Sequence, residues 1–260
     1  MQLHCKKLGQ GKPLFILHGL LGMLDNWQSI GKVLSEKFEV YLLDARNHGH
    51  SPHSDIFSYD VMAEDLCECI MEQKAPANGN DFVPAYIIGH SMGGKTAMKF
   101  AQKFPEKVEK LVVVDIAPRQ YSAQHDAVFK ALCAVDFNLV QSRSEAEKVL
   151  EKYISENDVR QFLLKNLYRK EPNKLAWRFN LGAIAGNLKN IGEAAVDKPF
   201  NKPALFLRGE KSNYIQEEDR SLIKALFPLS ETETIRNAGH WIHAEQPELF
   251  VRAVVEFLEK

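Results

Sequence analysis

The sequence has almost no net charge and no long apolar run, and each absence excludes a class of protein. Lys and Arg number 33 against 34 Asp and Glu, a formal net charge of -1. This balance gives no sign of a nucleic-acid partner or of a basic membrane-binding surface. The apolar run at 13–24 is broken by His18, Gly19 and Gly22, so it resembles neither a signal peptide nor a membrane span. We therefore expect a cytoplasmic protein without stable membrane anchoring.

Cysteine is also scarce, and metal-ligand spacing is absent. The four cysteines show no paired framework and are expected to be reduced thiols: Cys5, Cys67, Cys69 and Cys133. Three histidines, His48, His50 and His53, lie close together but without partner ligands. The sequence therefore predicts neither a disulfide scaffold nor a metal site.

What is present is an alternation of short apolar runs and amphipathic stretches. The runs predict buried parallel strands at 13–19, 38–45, 85–90, 110–117 and 203–209, with a weaker candidate at 232–239. Helical patterns occupy 26–37, 58–74, 93–108 and 247–260. This alternation predicts an α/β domain, with a mostly parallel central sheet and helices on both faces.

The stretch from 118 to 197 interrupts that alternation. It contains no convincing strand, and helical patterns are predicted at 123–135, 142–154, 158–170 and 173–189. Ser142 followed by Glu145 has the spacing of a capping box. We expect a core domain made of 1–117 and 198–260, with 118–197 as a helical lid or cap.

The pentapeptide GHSMG at 89–93 carries the strongest chemical signal. It fits G-x-S-x-G between a predicted strand and a predicted helix, which is the setting of a nucleophile elbow. A serine on so sharp a turn needs small neighbours, and the helix N-terminus favours developing negative charge. Ser91 is therefore the candidate nucleophile, the alternative being a helix-capping serine.

A serine nucleophile needs a base, and the segment AGHWIHAEQP supplies two histidines. His240 follows Gly239 in a predicted loop, where it could reach across the strand ends. His243 lies three residues nearer the C-terminal helix. We favour His240 as the base and interpret His243 as a packing or surface residue.

Four segments together resemble the α/β-hydrolase superfamily: HGLLG (18–22), DARNHGHS (44–51), GHSMGG (89–94) and GHWIHAEQP (239–247). GHSMGGK, VVDIAP and RGEKSNY resemble, more narrowly, the subfamily of YbfF-type esterases and ABHD-eleven-like hydrolases. The resemblance implies the α/β-hydrolase fold and an oxyanion hole formed by the backbone N–H groups of Leu20 and Met92. It implies that His18 organises a loop and that Asp44 ties down the loop that follows it.

The acid of the expected Ser-acid-His order is missing from its usual turn. The family acid would stand about three residues after Gly209, where this chain has Ser212, and the turn offers only Glu210. Asp115 ends the preceding apolar run after three valines, at the strand edge where such folds place their sites. We assign the acid to Asp115, with Glu210 as the alternative.

These residues predict a serine hydrolase that cleaves carboxylic esters, or acyl thioesters such as acyl-CoA, without metal or organic cofactor. The substrate would be a small molecule, and the oligomeric state stays open. Aromatic and aliphatic side chains of the insert suggest an apolar acyl pocket: Phe129, Leu132, Phe162, Leu163, Trp177 and Phe179. Arg119, Tyr121, Trp177 and Trp241 are the candidate substrate-pocket residues.

Two other readings use the same scaffold. A C–C bond hydrolase or a cofactor-free haloperoxidase would use the same three residue types. A hydrolase-fold ligand receptor would perform no turnover, and the presence of both Ser91 and His240 argues against it.

Overall fold

A computed structural model describes residues 1–74, 83–121, 126–172, 174–194 and 198–260. The strands are β1 (Cys5–Leu8), β2 (Lys12–Leu17), β3 (Phe38–Leu43), β4 (Ala85–His90), β5 (Val108–Val114), β6 (Leu167–Glu171), β7 (Lys174–Trp177), β8 (Ala204–Gly209) and β9 (Ser230–Ile235). The helices are α1 (Gln28–Leu34), α2 (Tyr59–Lys74), α3 (Met92–Lys103), α4 (Asp126–Cys133), α5 (Arg143–Glu151), α6 (Asn157–Leu164), α7 (Leu181–Gly186), α8 (Leu188–Gly192), α9 (Asp219–Leu226), α10 (Ile242–Glu245) and α11 (Pro247–Glu259). Short 3-10 turns precede α1 and β5, at Leu24–Trp27 and Pro105–Lys107.

Seven strands form the central sheet, in the order β1-β3-β2-β4-β5-β8-β9. All neighbouring pairs are parallel except β1 with β3. The prediction of a mostly parallel sheet is confirmed, and β5 lies between β4 and β8. The carboxyl ends of β4, β5 and β8 therefore meet at one edge of the sheet.

Helices cover both faces of this sheet because its strands are apolar on both sides. Side chains of α1 and α11, such as Ile30 and Phe250, pack on one face. Side chains of α2 and α3, such as Leu66 and Phe100, pack on the other, together with most of the insert. Among the described residues, no helix is both long enough and apolar enough to span a bilayer.

The prediction that the insert lacks strands is wrong. Strands β6 and β7 form an antiparallel hairpin over 167–177, within the ranges 158–170 and 173–189 that were predicted as helices. Other parts of these ranges are helical, in α6 and α7. Pro172 follows β6 and cannot continue a helix. Leu175 and Trp177 are both buried on β7, two residues apart, which is the period of a strand. Residues 123–125, 173 and 195–197, which the predicted helices and the insert boundary included, lie outside the described residues.

The other differences concern boundaries. The predicted last strand at 232–239 is β9, which begins and ends earlier, and β5 begins and ends before the predicted 110–117. β1 was not predicted, because its burial pattern is that of a half-exposed edge strand without an apolar run. The capping interaction is present: Ser142 Oγ accepts a hydrogen bond from the Glu145 N–H at the start of α5.

Candidate active site

Ser91 stands on the sharp turn between β4 and α3. Its φ of 53° lies in the left-handed region, and it is the N-cap of α3. Small neighbours are required here: a Cβ on Gly89 would lie 2.2 Å from the Gly93 carbonyl oxygen. A Cβ on Gly93 would lie 2.5 Å from the carbonyl oxygens of Leu17 and His18. These glycines let the turn close and leave the Ser91 side chain at the edge of the sheet.

Asp115 follows β5 directly and lies against His240. The side chain of Asp115 is fully buried, and its Oδ2 lies 2.7 Å from His240 Nδ1. His240 comes from the loop between β9 and α10, so two distant segments meet at the carboxyl edge of the sheet. A buried carboxylate needs donors or a cationic partner, and the imidazole supplies one.

Two further donors reach the same carboxylate from the turn after β8. The Gly209 N–H donates to Asp115 Oδ1 at 3.0 Å, and Ser212 Oγ donates to Oδ2. Ser212 stands at the position where the resemblance to the family predicts an acid. The turn that offers no acid at this position therefore contacts Asp115, which follows the neighbouring strand.

Glu210, the alternative acid, points elsewhere. Its carboxylate accepts a hydrogen bond from the Asn237 N–H at 2.8 Å, and the residue is exposed. Asn237 has a positive φ, so Glu210 ties down a tight turn after β9. The geometry thus separates the two candidates: Asp115 touches His240, and Glu210 supports a turn.

Sequence reasoning missed two groups that hold His240 in place. The Tyr214 ring stacks on the His240 ring, with centroids 3.9 Å apart and planes at 18°. His90 Nε2 lies 2.8 Å from the His240 carbonyl oxygen and donates to it. Tyr214 follows Ser212 in the turn, and His90 precedes Ser91, so each lies beside a residue already singled out.

The loop after β2 places Leu20 beside Ser91. Leu20 and Ser91 line the same cavities, and Met92 lies at the first position of α3. Within the described residues, neither the Leu20 N–H nor the Met92 N–H donates a hydrogen bond to another protein group. Both donors are thus available to a bound oxygen.

Buried side chains shape this loop. His18 Nε2 accepts from the Ala45 N–H at 3.0 Å, and the Asp44 carboxylate accepts from the N–H groups of Leu24 and His50 at 2.8 Å. These contacts are those expected of loop-organising residues.

A cavity of about 220 Å³ opens at the edge of the sheet. Both Ser91 and His240 line it. Apolar side chains of the insert form its opposite wall: Val128, Val159, Phe162 and Leu163. A second cavity, of about 40 Å³, also reaches Ser91 and is lined by Met92, Lys95 and Tyr121 among others.

Of the four predicted pocket residues, two line these cavities. Trp241 lines the large cavity and contacts Phe162, and Tyr121 lines the small one. The other two, Trp177 and Arg119, line neither of these cavities, and their pocket roles stay predictions. Trp177 packs within the insert, its ring stacked on Phe179. Arg119 Nε donates a hydrogen bond to Asp219 Oδ1 at 2.8 Å, and Asp219 is buried.

Two histidines beside the large cavity are held neutral. Burial, followed by the nearby His240, lowers the pKa of His243 from 6.5 to about 3, and its ring stacks on Trp27. Burial also lowers the pKa of His90 well below 6.5. His243 is thus a packing residue, as its position nearer the helix suggested.

These lowered values predict acid sensitivity. A histidine whose pKa falls on folding stabilises the native state above pH 6.5, and this contribution is lost as the pH falls toward 3. At pH 5 the loss for His243 is about 2 kcal/mol. Between pH 7 and pH 5, the free energy of unfolding of His243→Gln should fall less than that of the wild type. Urea denaturation at the two pH values measures this difference. The exposed His53→Gln should behave as wild type, and equal pH dependence in all three proteins would contradict the account.

The fold and the site geometry define a class of protein. The chain belongs to the α/β hydrolase fold family, whose model matches residues 12–247. It is 40% identical over 260 residues to the sn-1-specific diacylglycerol lipase ABHD11 of Danio rerio, covering 96% of this chain and 80% of that protein. It is 35% identical over 247 residues to the esterase YbfF of Escherichia coli, covering 95% and 92%. A solved marine microorganism esterase is 46% identical, with a TM-score of 0.93 over 98% of this chain and 99% of that one.

Proposed function

We propose that this chain is a serine esterase in which Ser91, His240 and Asp115 act together as a catalytic triad. That it is a carboxylesterase-type hydrolase follows from its relatedness to the esterases and lipases above. The finer assignment depends most on one observation, the 2.7 Å contact between Asp115 Oδ2 and His240 Nδ1 beside a cavity that Ser91 shares.

The contact with Asp115 favours the imidazole tautomer that carries its proton on Nδ1. His240 Nε2 is then free to take the proton of Ser91 Oγ as the oxygen attacks the ester carbonyl. The same Nε2 then gives the proton to the departing alcohol, which leaves an acyl-enzyme. Water, activated in the same way, hydrolyses that acyl-enzyme and releases the acid.

Among the described residues, no hydrogen bond joins Ser91 Oγ to His240 in this substrate-free structure. Such contacts often tighten only when substrate binds. The positive charge that develops on His240 is matched by the buried Asp115 carboxylate and by the Tyr214 ring stacked on the imidazole.

The N–H groups of Leu20 and Met92 are the proposed oxyanion hole. Backbone donors are fixed before charge appears on the oxygen, and loss of one such donor typically raises the barrier by about 3–4 kcal/mol. The Met92 N–H also lies at the N-terminus of α3, where the helix dipole favours negative charge.

The insert is proposed as the cap, with the core formed by 1–117 and 198–260. Its apolar side chains line the large cavity opposite Ser91, which would exclude water from the acyl-enzyme. Esters and acyl thioesters both fit this chemistry, since the same oxyanion hole serves either carbonyl. The proposed setting is the cytoplasm, with a small-molecule substrate.

Ser212 supports the triad through Asp115. Removing its hydroxyl leaves Asp115 Oδ2 with one donor fewer, and hydrogen bonds to charged groups contribute about 1.5–3 kcal/mol. We expect Ser212→Ala to lower kcat about 10- to 100-fold with little change in KM, measured on a short p-nitrophenyl ester. Ser221→Ala, an exposed serine on α9, is the matched control. Unchanged kcat in Ser212→Ala would show that this hydroxyl does not support the triad.

The proposal is tested by labelling the protein with a fluorophosphonate and locating the adduct by mass spectrometry. An adduct on Ser91, together with ester hydrolysis that the label abolishes, is the expected result. Hydrolysis that continues in fully labelled protein would overturn it, and so would an adduct on another residue.

A further inference from the structure

The two cavities meet at the nucleophile and differ in size and in chemistry. Leu20, Ser91 and Tyr214 line both. His240 lines only the large cavity, and Met92 only the small one. An ester bound at Ser91 would therefore place one part in each cavity.

The position of His240 decides which part of the ester lies in which cavity. This argument depends on the proposed function, in which His240 gives its proton to the leaving alcohol. The leaving group must then lie beside His240, in the large cavity, while the carbonyl oxygen faces Leu20 and Met92. The acyl chain is left with the remaining direction, the small cavity. Of the insert residues predicted to form an acyl pocket, Phe162 and Leu163 line the large cavity and thus the leaving-group side.

A buried lysine stands in this small cavity. Lys95, one turn into α3 from Ser91, is 1% exposed. Its Nζ donates to the carbonyl oxygens of Gly192 at 3.3 Å and Glu193 at 2.5 Å. The same nitrogen lies 4.8 Å from the ring centroid of Tyr121, which also lines the cavity.

Lys95 has no carboxylate partner among the described residues. The nearest basic neighbour, Arg119, already uses Asp219, and the Glu193 side chain is exposed to solvent. Burial, followed by Arg119, lowers the pKa of Lys95 to about 8, and Glu193 opposes this shift. Carbonyl oxygens and aromatic rings solvate an ammonium group but do not neutralise it, so within the described part of the chain the cavity holds a buried cation without a counter-ion.

We propose that the small cavity binds a short acyl chain ending in a carboxylate, which pairs with Lys95 Nζ. The volume of about 40 Å³ corresponds to about three water-sized positions, enough for an acyl group of about two to four carbons. The substrate class is the half-ester or half-thioester of a short dicarboxylic acid, with an apolar leaving group in the large cavity.

Two benzyl esters test this proposal. Benzyl hemisuccinate and benzyl butyrate share a leaving group and differ only in whether the acyl chain ends in a carboxylate or a methyl group. Benzyl alcohol is a poor enough leaving group that the neighbouring carboxylate does not expel it unaided. The readout is the ratio of kcat/KM for hemisuccinate to that for butyrate within one protein, so a general loss of activity cancels.

We expect the wild type to favour the hemisuccinate and Lys95→Met to lower the ratio about 10- to 100-fold, as for a lost charge-assisted hydrogen bond. Lys95→Gln, which can still donate to a carbonyl oxygen, should lower the ratio similarly and guards against misfolding of Lys95→Met. In the wild type, the succinate ion should inhibit the hydrolysis of benzyl butyrate more strongly than the butyrate ion does. This difference in inhibition should vanish in Lys95→Gln.

The outcomes separate this proposal from the function on which it depends. One outcome is that hydrolysis of benzyl butyrate requires Ser91 while neither Lys95 variant changes the kcat/KM ratio. This would overturn the acyl-site proposal and leave the esterase proposal intact. Absence of hydrolysis of both esters, with no fluorophosphonate adduct on Ser91, would overturn both. The acyl-site proposal would also be overturned if the wild type favoured benzyl butyrate, with a kcat/KM ratio below one, and if this ratio rose in Lys95→Met.

Discussion

Replacing Ser91 with alanine is expected to lower kcat for a short p-nitrophenyl ester about 10⁶-fold, because the attacking oxygen is removed. Binding need not suffer, since the two cavities and the oxyanion N–H groups remain. The variant should also take up no fluorophosphonate. Initial rates, with the adduct mapped by mass spectrometry, measure both effects.

The control for this experiment is the exposed Ser221→Ala, which should react and hydrolyse as the wild type does. Ser91→Ala should keep its folding, since Ser91 owes its position to the glycines around it and alanine removes only one oxygen. Substantial hydrolysis by the variant would show that another group is the nucleophile. A wild type without turnover, but with high affinity for an ester, would favour the receptor reading.

Replacing Asp115 with asparagine has the second largest expected effect, a loss of about 10⁴-fold in kcat. The amide keeps the size of the carboxylate but can offer its NH₂ to His240 Nδ1, which favours the wrong tautomer. It also removes the charge that stabilises the imidazolium. The loss should appear in kcat far more than in KM, because Asp115 touches His240 and lines neither cavity.

Glu210→Gln is the matched control for Asp115→Asn, since it makes the same chemical change in the turn where the family acid usually stands. Its carboxylate accepts from the Asn237 N–H, a contact that a glutamine oxygen can keep. We expect near-normal kcat. A large loss in Glu210→Gln, with near-normal turnover in Asp115→Asn, would transfer the acid to Glu210.

Much of the sheet could be predicted because its strands are buried on both faces. The second half of β5, residues 111–114, is a continuous buried apolar run, and its end is marked by the polar Asp115. The hairpin of β6 and β7 was missed because its residues are mostly exposed on one strand and alternate on the other. The signal was present in the two-residue spacing of Leu175, Trp177 and Phe179, but it was interpreted as a helical face.

The candidate site also has residues that the sequence indicates and residues whose contacts only the structure shows. Ser91 and His240 could be singled out as candidates because each lies in a short motif whose residues are adjacent in sequence. Ser212 could not be assigned a contact, because its partner Asp115 is 97 residues away and only the order of β5 and β8 brings them together. The burial of Lys95 could not be predicted, because this residue lies on a helix with an ordinary amphipathic pattern. Only the three-dimensional structure shows that its side chain is buried.

The central claim, that Asp115 acts through His240, is tested most directly by a double variant. His240→Ala alone should lower the hydrolysis of p-nitrophenyl acetate about 10⁶-fold. If Asp115 works only by orienting and stabilising His240, then adding Asp115→Asn to His240→Ala should cause no further loss. A further loss of about 10⁴-fold, equal to that of Asp115→Asn alone, would show that the two residues act independently and would contradict the triad.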